Sequence, residues 1–340
     1  MNCCAGCFGD RFLRGEVRFR SKETGRCSYC NSENVAVLPP PQLADLFERL
    51  VGAYQADPHG KVLVQLFRED WGMFEHPQMD DSRAKDLLAE ILDDGEIVRQ
   101  TFSPAGALAD DQVRKWEVFR EQLMYRNRFF PVSDIDLERL KLLFIQLRVP
   151  AEEIPGRWFR ARTQIGDAPF LVAAMGAPPE RIASHGRANP AGIACLYLGS
   201  KELTAISEIR PHTGEIVCVA DFGTPNDLKL VDLRSPRKMV SPFFFEDKAE
   251  IAKVRSELPF LERLGEELTR PVVPQAAAID YTPSQYLCEF IKKCEYNGVI
   301  YRSSVSDGMN LALFDPALAE PGTVIRYRVT RVSVEASVIP

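Results

Sequence analysis

Leu43, Leu46, Phe47 and Leu50 recur at i, i+3, i+4 and i+7, the spacing that lays apolar side chains along one stripe of an α-helix. The same spacing returns at Ala84, Leu87, Leu88 and Ile91 and at Leu140, Leu143, Phe144 and Leu147. Val113, Trp116, Phe119 and Leu123 form another stripe, Lys61 to Trp71 reads as a further helix, and Ser133 suits the cap of the last one. Pro39 to Pro150 is therefore predicted to be a helical bundle, with the aromatic residues Phe67, Trp71, Phe74, Trp116, Phe119, Phe129 and Phe130 in its core.

The pattern changes after Pro150. Apolar runs of strand length appear at Ala194–Leu198, Ile216–Phe222, Leu228–Leu233, Gly298–Tyr301 and Leu311–Phe314, followed by the alternating Val324–Val338. Helices are expected between them, at Leu203–Ile209, Ala249–Leu268 and Pro283–Lys293. Strands mixed with irregularly inserted helices predict an α+β domain whose sheet draws on distant parts of the chain. These shifts divide the sequence into 1–36, 37–150 and 151–340.

The first of these segments is set apart by cysteine. Cys4-Ala-Gly-Cys7 and Cys27-Ser-Tyr-Cys30 are two CxxC pairs with nineteen residues between them. Four thiolates at this spacing close a tetrahedral zinc site, and a segment this small needs such a staple to fold. The expectation is a structural zinc ribbon, since four protein ligands leave the metal no open position; Cys3 is an alternative to Cys4. Glu16–Arg20 alternates like a short strand within it. A redox dithiol would need only one of the pairs. Cys195, Cys218, Cys288 and Cys294 are scattered and read as small buried hydrophobes.

A net charge of −6 argues against a protein that coats nucleic acid, although the first 30 residues hold six Lys or Arg against three Asp or Glu. That local excess reads most simply as a solvated face. No apolar run reaches the roughly 20 residues of a membrane-spanning helix. The opening Met-Asn-Cys-Cys-Ala-Gly-Cys lacks a cationic stretch leading into an apolar one, so no secretory signal is read and the cytoplasm is the expected location. Neither a Gly-x-Gly-x-x-Gly fingerprint nor a phosphate loop occurs.

Three stretches of the second half place a polar group against a short apolar run. They are Arg-Trp-Phe-Arg-Ala-Arg (157–162), Gly-Arg-Ala-Asn-Pro-Ala-Gly-Ile-Ala-Cys-Leu-Tyr (186–197) followed by Leu-Thr-Ala-Ile-Ser-Glu (203–208), and Gly-Val-Ile-Tyr-Arg-Ser (298–303). With Asn-Leu-Ala-Leu-Phe (310–314), their order and surroundings resemble the RES domain family over residues 154–335. The resemblance implies an ADP-ribosyltransferase-like fold that holds NAD bent across a split sheet. It implies Arg160, Glu208 and Ser303 as the catalytic set; by their chemistry, Arg160 suits the pyrophosphate, and Arg187 and Tyr197 are further NAD-binding candidates, for anion contact and for stacking on a ring. A zinc ribbon followed by a bundle resembles the HEPN-like extension of some RES proteins. HEPN nucleases pair an Arg with a closely following His; the nearest approach here, Arg68 and His76, has seven residues between, so no ribonuclease chemistry is assigned.

The roles are chemically sensible. A guanidinium grips a pyrophosphate bidentately, and a fixed carboxylate stabilises the oxocarbenium character that develops when the nicotinamide–ribose bond breaks. Family likeness implies inorganic phosphate as the acceptor, with Arg187 or Arg302 assisting it, and a toxin held by an antitoxin or immunity protein. Water or a macromolecular acceptor, which would make an ADP-ribosyltransferase, is the alternative chemistry. A zinc-ribbon adaptor for nucleic acid or protein is the non-enzymatic alternative. Taken singly, each site residue reads as ordinary surface or core: Arg160 as a half-exposed strand position, Glu208 as a surface partner of Arg210, Ser303 as a loop residue.

Overall fold

A computed structural model describes residues 1–105, 110–333 and 338, without the side chains of 110, 111 and 274. Its first elements are β1 (Cys3–Cys4), α1 (Arg11–Arg20), β2 (Glu23–Gly25), β3 (Val35–Leu38), α2 (Ala44–Val51), β4 (Tyr54–Val62), α3 (Leu63–Trp71), α4 (Asp81–Leu92), β5 (Thr101–Pro104), α5 (Asp110–Tyr125) and α6 (Leu137–Gln146). There follow β6 (Arg157–Thr163), β7 (Leu196–Gly199), α7 (Glu202–Glu208), β8 (Ile216–Gly223), β9 (Leu230–Asp232), α8 (Pro236–Met239) and α9 (Lys248–Thr269). The last are α10 (Ala277–Asp280), α11 (Thr282–Lys293), β10 (Gly298–Arg302), β11 (Met309–Leu313) and β12 (Glu320–Arg328). The chain forms two compact units, Met1–Trp116 with Ser235–Glu262, and Glu117–Arg234 with Arg263–Pro340.

In the first unit, β1, β3 and β2 form a small antiparallel sheet. The alternation at Glu16–Arg20 belongs to a helix, not a strand. Asp10 caps it by accepting from the Leu13 amide at 2.8 Å, and Leu13 and Val17, one turn apart, are fully buried while Phe19 is 85% exposed. A strand would have put Val17 and Phe19 on one face. The helices expected between Pro39 and Pro150 are present, but Phe129 and Phe130, expected in the core, lie past the end of α5 and are 84% and 83% exposed, and β4 and β5 pair antiparallel within this stretch. Gly60 permits that pairing, because a Cβ there would lie 2.1 Å from the Phe102 carbonyl oxygen. The last helix is capped by Asp136, which accepts from the Arg139 amide at 2.9 Å; Ser133 instead accepts from Ile135. Ser235–Glu262 packs here too: the Phe243 ring lies 5.3 Å from Phe47, Ser241 donates to Asp10 at 2.9 Å, and Arg255 pairs with Asp70.

The second unit is built on a seven-stranded sheet in the order β12-β8-β6-β7-β11-β10-β9. Only β9 and β10 run parallel. One face buries Trp158, Leu196, Leu198, Cys218, Phe222, Ile300 and Leu311, and the other packs Ala161, Val217 and Val219 against Ala205 and Ile206 of α7. The central junction is incomplete. β6 pairs with β8 along its whole length, Arg157 to Thr163, yet meets β7 through the single pair Phe159↔Gly199. The sheet therefore parts between β6 and β7. The expected strand Val324–Val338 is realised as β12 to Arg328, and residues 334–337 lie outside the described ones.

Candidate active site

A cavity of about 280 Å³ opens where β6 and β7 part. β6 contributes Phe159, Arg160 and Ala161, β7 contributes Tyr197 and Gly199, and α7 ends over it with Glu208. His185, Gly186, Arg187, Tyr281, Tyr301 and Asn310 also line it, with Leu198, Ala205 and Ile209.

Arg160 extends from the middle of β6 and donates from Nη1 to the Tyr197 carbonyl at 3.1 Å, a bond that spans the parting strands. Its Nε is buried without a hydrogen-bond partner. Burial, reinforced by the neighbouring Arg162 charge, lowers the guanidinium to about 10, so it remains cationic at neutral pH. A buried N–H left unpaired is costly.

Glu208 is fixed by two donors. Ser303 Oγ lies 2.7 Å and Asn310 Nδ2 2.6 Å from its Oε1. Both donors act on the same oxygen, and Oε2 takes part in neither bond. Ser303 follows β10 and Asn310 lies on β11, neighbours in the sheet through Tyr301↔Asn310. Ser303, not the adjacent exposed Ser304, reaches the carboxylate.

The loop 184–193 forms the opposite wall and is tied by its own polar groups. Asn189 Nδ2 donates to the carbonyls of Ser184, Pro190 and Ile193 at 3.0, 3.0 and 2.8 Å. The Tyr197 hydroxyl donates to Asn189 Oδ1 at 2.6 Å and accepts from the Ala188 amide at 2.9 Å. From α11, Ser284 holds the Arg187 carbonyl at 2.7 Å and Gln285 the Gly186 carbonyl at 2.9 Å. Tyr197 thus braces the loop with its phenol and is itself one of the cavity's lining residues. Burial pushes this phenol, and that of Tyr301, well above the usual range.

Arg187 reaches the cavity from the loop. Its guanidinium sits 5.3 Å from the Tyr281 ring centroid and donates to the Arg270 carbonyl at 2.7 Å. Arg302 is not among the lining residues. Arg160, Glu208, Arg187 and Tyr197 therefore share one cavity, with Ser303 bonded to its carboxylate.

Asn310, Tyr281 and His185 escape a reading of the sequence. Asn310 does carry a signal, a polar residue opening the apolar run 310–314, but its role needs Glu208 beside it. Tyr281 and His185 have no local signature.

The profile of the RES domain matches residues 157–331, just over half of the chain. The chain belongs to the RES domain family. All the lining residues of the cavity fall inside the matched RES segment. Among solved structures, a chain of the M. tuberculosis MbcT–MbcA toxin–antitoxin complex is similar over 56% of this chain and 94% of its own, at 13% identity and a TM-score of 0.33. No curated protein matches the sequence.

Outside the RES segment, Cys4, Cys7, Cys27 and Cys30 come together with all four sulphurs within 4.8 Å of one another, and all four residues are buried. The Cys4–Cys30 and Cys7–Cys27 sulphur separations are 3.5 and 3.3 Å. Zinc–sulphur bonds of about 2.3 Å set tetrahedral edges of roughly 3.8 Å, so small outward shifts would admit the ion. Hydrogen bonds from Cys4 and Cys7 pull the Cys27 thiol well below its ordinary value. Cys4, rather than Cys3, belongs to the cluster. No helix among the described residues is long and apolar enough to cross a membrane.

Proposed function

We propose that this RES protein cleaves the nicotinamide–ribose bond of NAD, with Arg160, Glu208 and Ser303 as its central residues. The observation that carries the reading is Glu208, a carboxylate clamped at one oxygen by Ser303 and Asn310 and sharing a cavity with Arg160, whose Nε is unpaired. The bond from ribose C1 to the pyridinium nitrogen breaks, and its electron pair neutralises the ring. Nicotinamide leaves as a neutral molecule and needs no general acid. Oε2 of Glu208 faces the positive charge that develops at the ribose. Arg160 holds the pyrophosphate, and Tyr197 sets the loop against which the dinucleotide bends. Inorganic phosphate, drawn by Arg187, forms the new bond to C1 and yields ADP-ribose 1″-phosphate.

In this reading the protein acts in the cytoplasm as a toxin neutralised by an antitoxin or immunity protein. Residues 151–340 hold the chemistry, 37–150 form a HEPN-like scaffold, and zinc held by Cys4, Cys7, Cys27 and Cys30 staples residues 1–36. Incubating the purified protein with NAD and phosphate, and following nicotinamide and ADP-ribose 1″-phosphate, tests the chemistry. Glu208→Gln and Arg160→Ala should each lower turnover by about 100-fold or more. Undiminished rates in both variants would remove the site. Release of plain ADP-ribose in the presence of phosphate would replace the acceptor with water. Metal analysis of Cys27→Ser and Cys30→Ser should show loss of stoichiometric zinc, and zinc retained by both would defeat the ligand set.

A further inference from the structure

The helix between the two cysteine pairs carries a surface that neither the cavity nor the thiol cluster uses. Leu13 and Val17 bury one stripe of α1. At the helical advance per residue, the outward stripe has Arg14 and Arg18 on one flank, Phe12 and Phe19 on the other, and Gly15 between them. Arg14 and Arg18 are exposed, one turn apart, and their guanidinium groups have no ion pair or hydrogen bond to any described residue. Beyond the helix, exposed Lys22 and Arg26 stand with an exposed Glu23 between them in sequence, one further net positive charge. The nearby acid Glu16 is engaged with Arg20 at 3.1 Å, and Arg20 with Asp45 at 2.9 Å. This patch is positive on a chain whose net charge is −6.

The aromatic flank is open at Phe19 and partly covered at Phe12, which is 37% exposed. Phe19 is 85% exposed, and Phe12 stands edge-on to Phe244, itself 52% exposed, with 6.3 Å between ring centres. Gly15 is the third feature. Glycine within a helix costs roughly 0.5–1 kcal/mol relative to alanine. A Cβ at position 15 would meet nothing within 4 Å, so no packing inside the chain calls for its absence. What bare backbone does provide, between a cationic row and an aromatic row, is close approach for another molecule's backbone.

We propose that this face of α1 binds single-stranded RNA. Arg14 and Arg18 contact neighbouring phosphates, and unpaired bases stack on Phe19 and Phe12 across the notch at Gly15. A duplex keeps its bases stacked on each other and offers Phe19 no free ring. An acidic peptide supplies charge without rings, and RNA is the abundant single-stranded polyanion of the cytoplasm.

Fluorescence anisotropy of the full chain with a labelled, mixed-sequence oligoribonucleotide of about 12 nucleotides tests this. Binding should weaken as salt rises. The Arg14→Gln/Arg18→Gln double variant should lower affinity about tenfold and flatten the logarithmic salt slope by about 1.4, two contacts at roughly 0.7 each. Phe19→Ala should weaken binding about tenfold with the slope unchanged. Gly15→Leu should raise the melting temperature while weakening binding, a combination that misfolding cannot produce. The proposal is overturned by no binding at about 50 mM salt. It is overturned equally by affinity indifferent to these variants, or by equal affinity for a duplex or for polyglutamate.

Discussion

Glu208 and Asp10 are carboxylates placed under opposite demands. Asn310 and Ser303 hold Glu208 from one side, and hydrogen bonds to a charged group contribute about 1.5–3 kcal/mol each. Asn310→Ala should therefore slow nicotinamide release about tenfold or more while leaving the melting temperature of the thiol-containing unit unchanged. Asp10 caps α1 from a buried position, and burial raises its carboxyl from the ordinary 3.8 to about 6 despite donors from Leu13 and Ser241. A raised folded-state value means that the native protein binds this proton more tightly than the unfolded chain. The resulting stability is fully present below pH 4 and is lost as pH rises through about 6. Asp10→Asn keeps both acceptor roles and carries no charge. It should match the parent near pH 4 and exceed it by about 1–3 kcal/mol near pH 7, as read by chemical denaturation at the two pH values.

At the scale of elements, the loop 184–193 depends on one glycine. A Cβ at Gly186 would lie 2.3 Å from the Tyr197 hydroxyl and 2.5 Å from Asn189 Oδ1, the pair that braces the loop. Gly186→Ala must separate them, so we expect a loss of about 1–3 kcal/mol by denaturant melting together with loss of turnover. Helix α1 teaches a different lesson about elements. Alternation over five residues, Glu16 to Arg20, fits a strand or a helix equally, and the decision rests on the cap at Asp10 and the burial of Leu13 and Val17. The β4–β5 pair lies inside a stretch whose stripes are helical, and nothing in its own sequence alternates cleanly enough to announce it.

The whole molecule divides differently from the change of pattern at Pro150. Ser235–Glu262 follows strands of the second unit in sequence but packs with residues 1–116. Val240, Phe243, Ile251, Val254 and Leu258 are at most 4% exposed. A fragment of residues 151–340 would uncover much of this apolar surface. We expect it to aggregate or elute as oligomers on size exclusion, and to regain solubility when residues 1–150 are coexpressed. A well-behaved monomeric fragment with full turnover would show that this segment is dispensable.

The sequence by itself determined what depends on short separations. The i, i+3, i+4 stripes specified most of the helices, the paired CxxC spacing specified the meeting sulphurs up to the choice between Cys3 and Cys4, and the order of Arg, Glu and Ser motifs carried the family. Steric period and ligand spacing act over a few residues, so they are written locally. Tertiary structure alone decided the rest. Glu208 and Asn310 lie 102 residues apart and meet because β11 docks between β7 and β10. The cavity exists because β6 touches β7 at one pair only. Which distant strands pair, and where a sheet parts, follows from the packing of all of them at once, and no window of neighbouring residues contains that information.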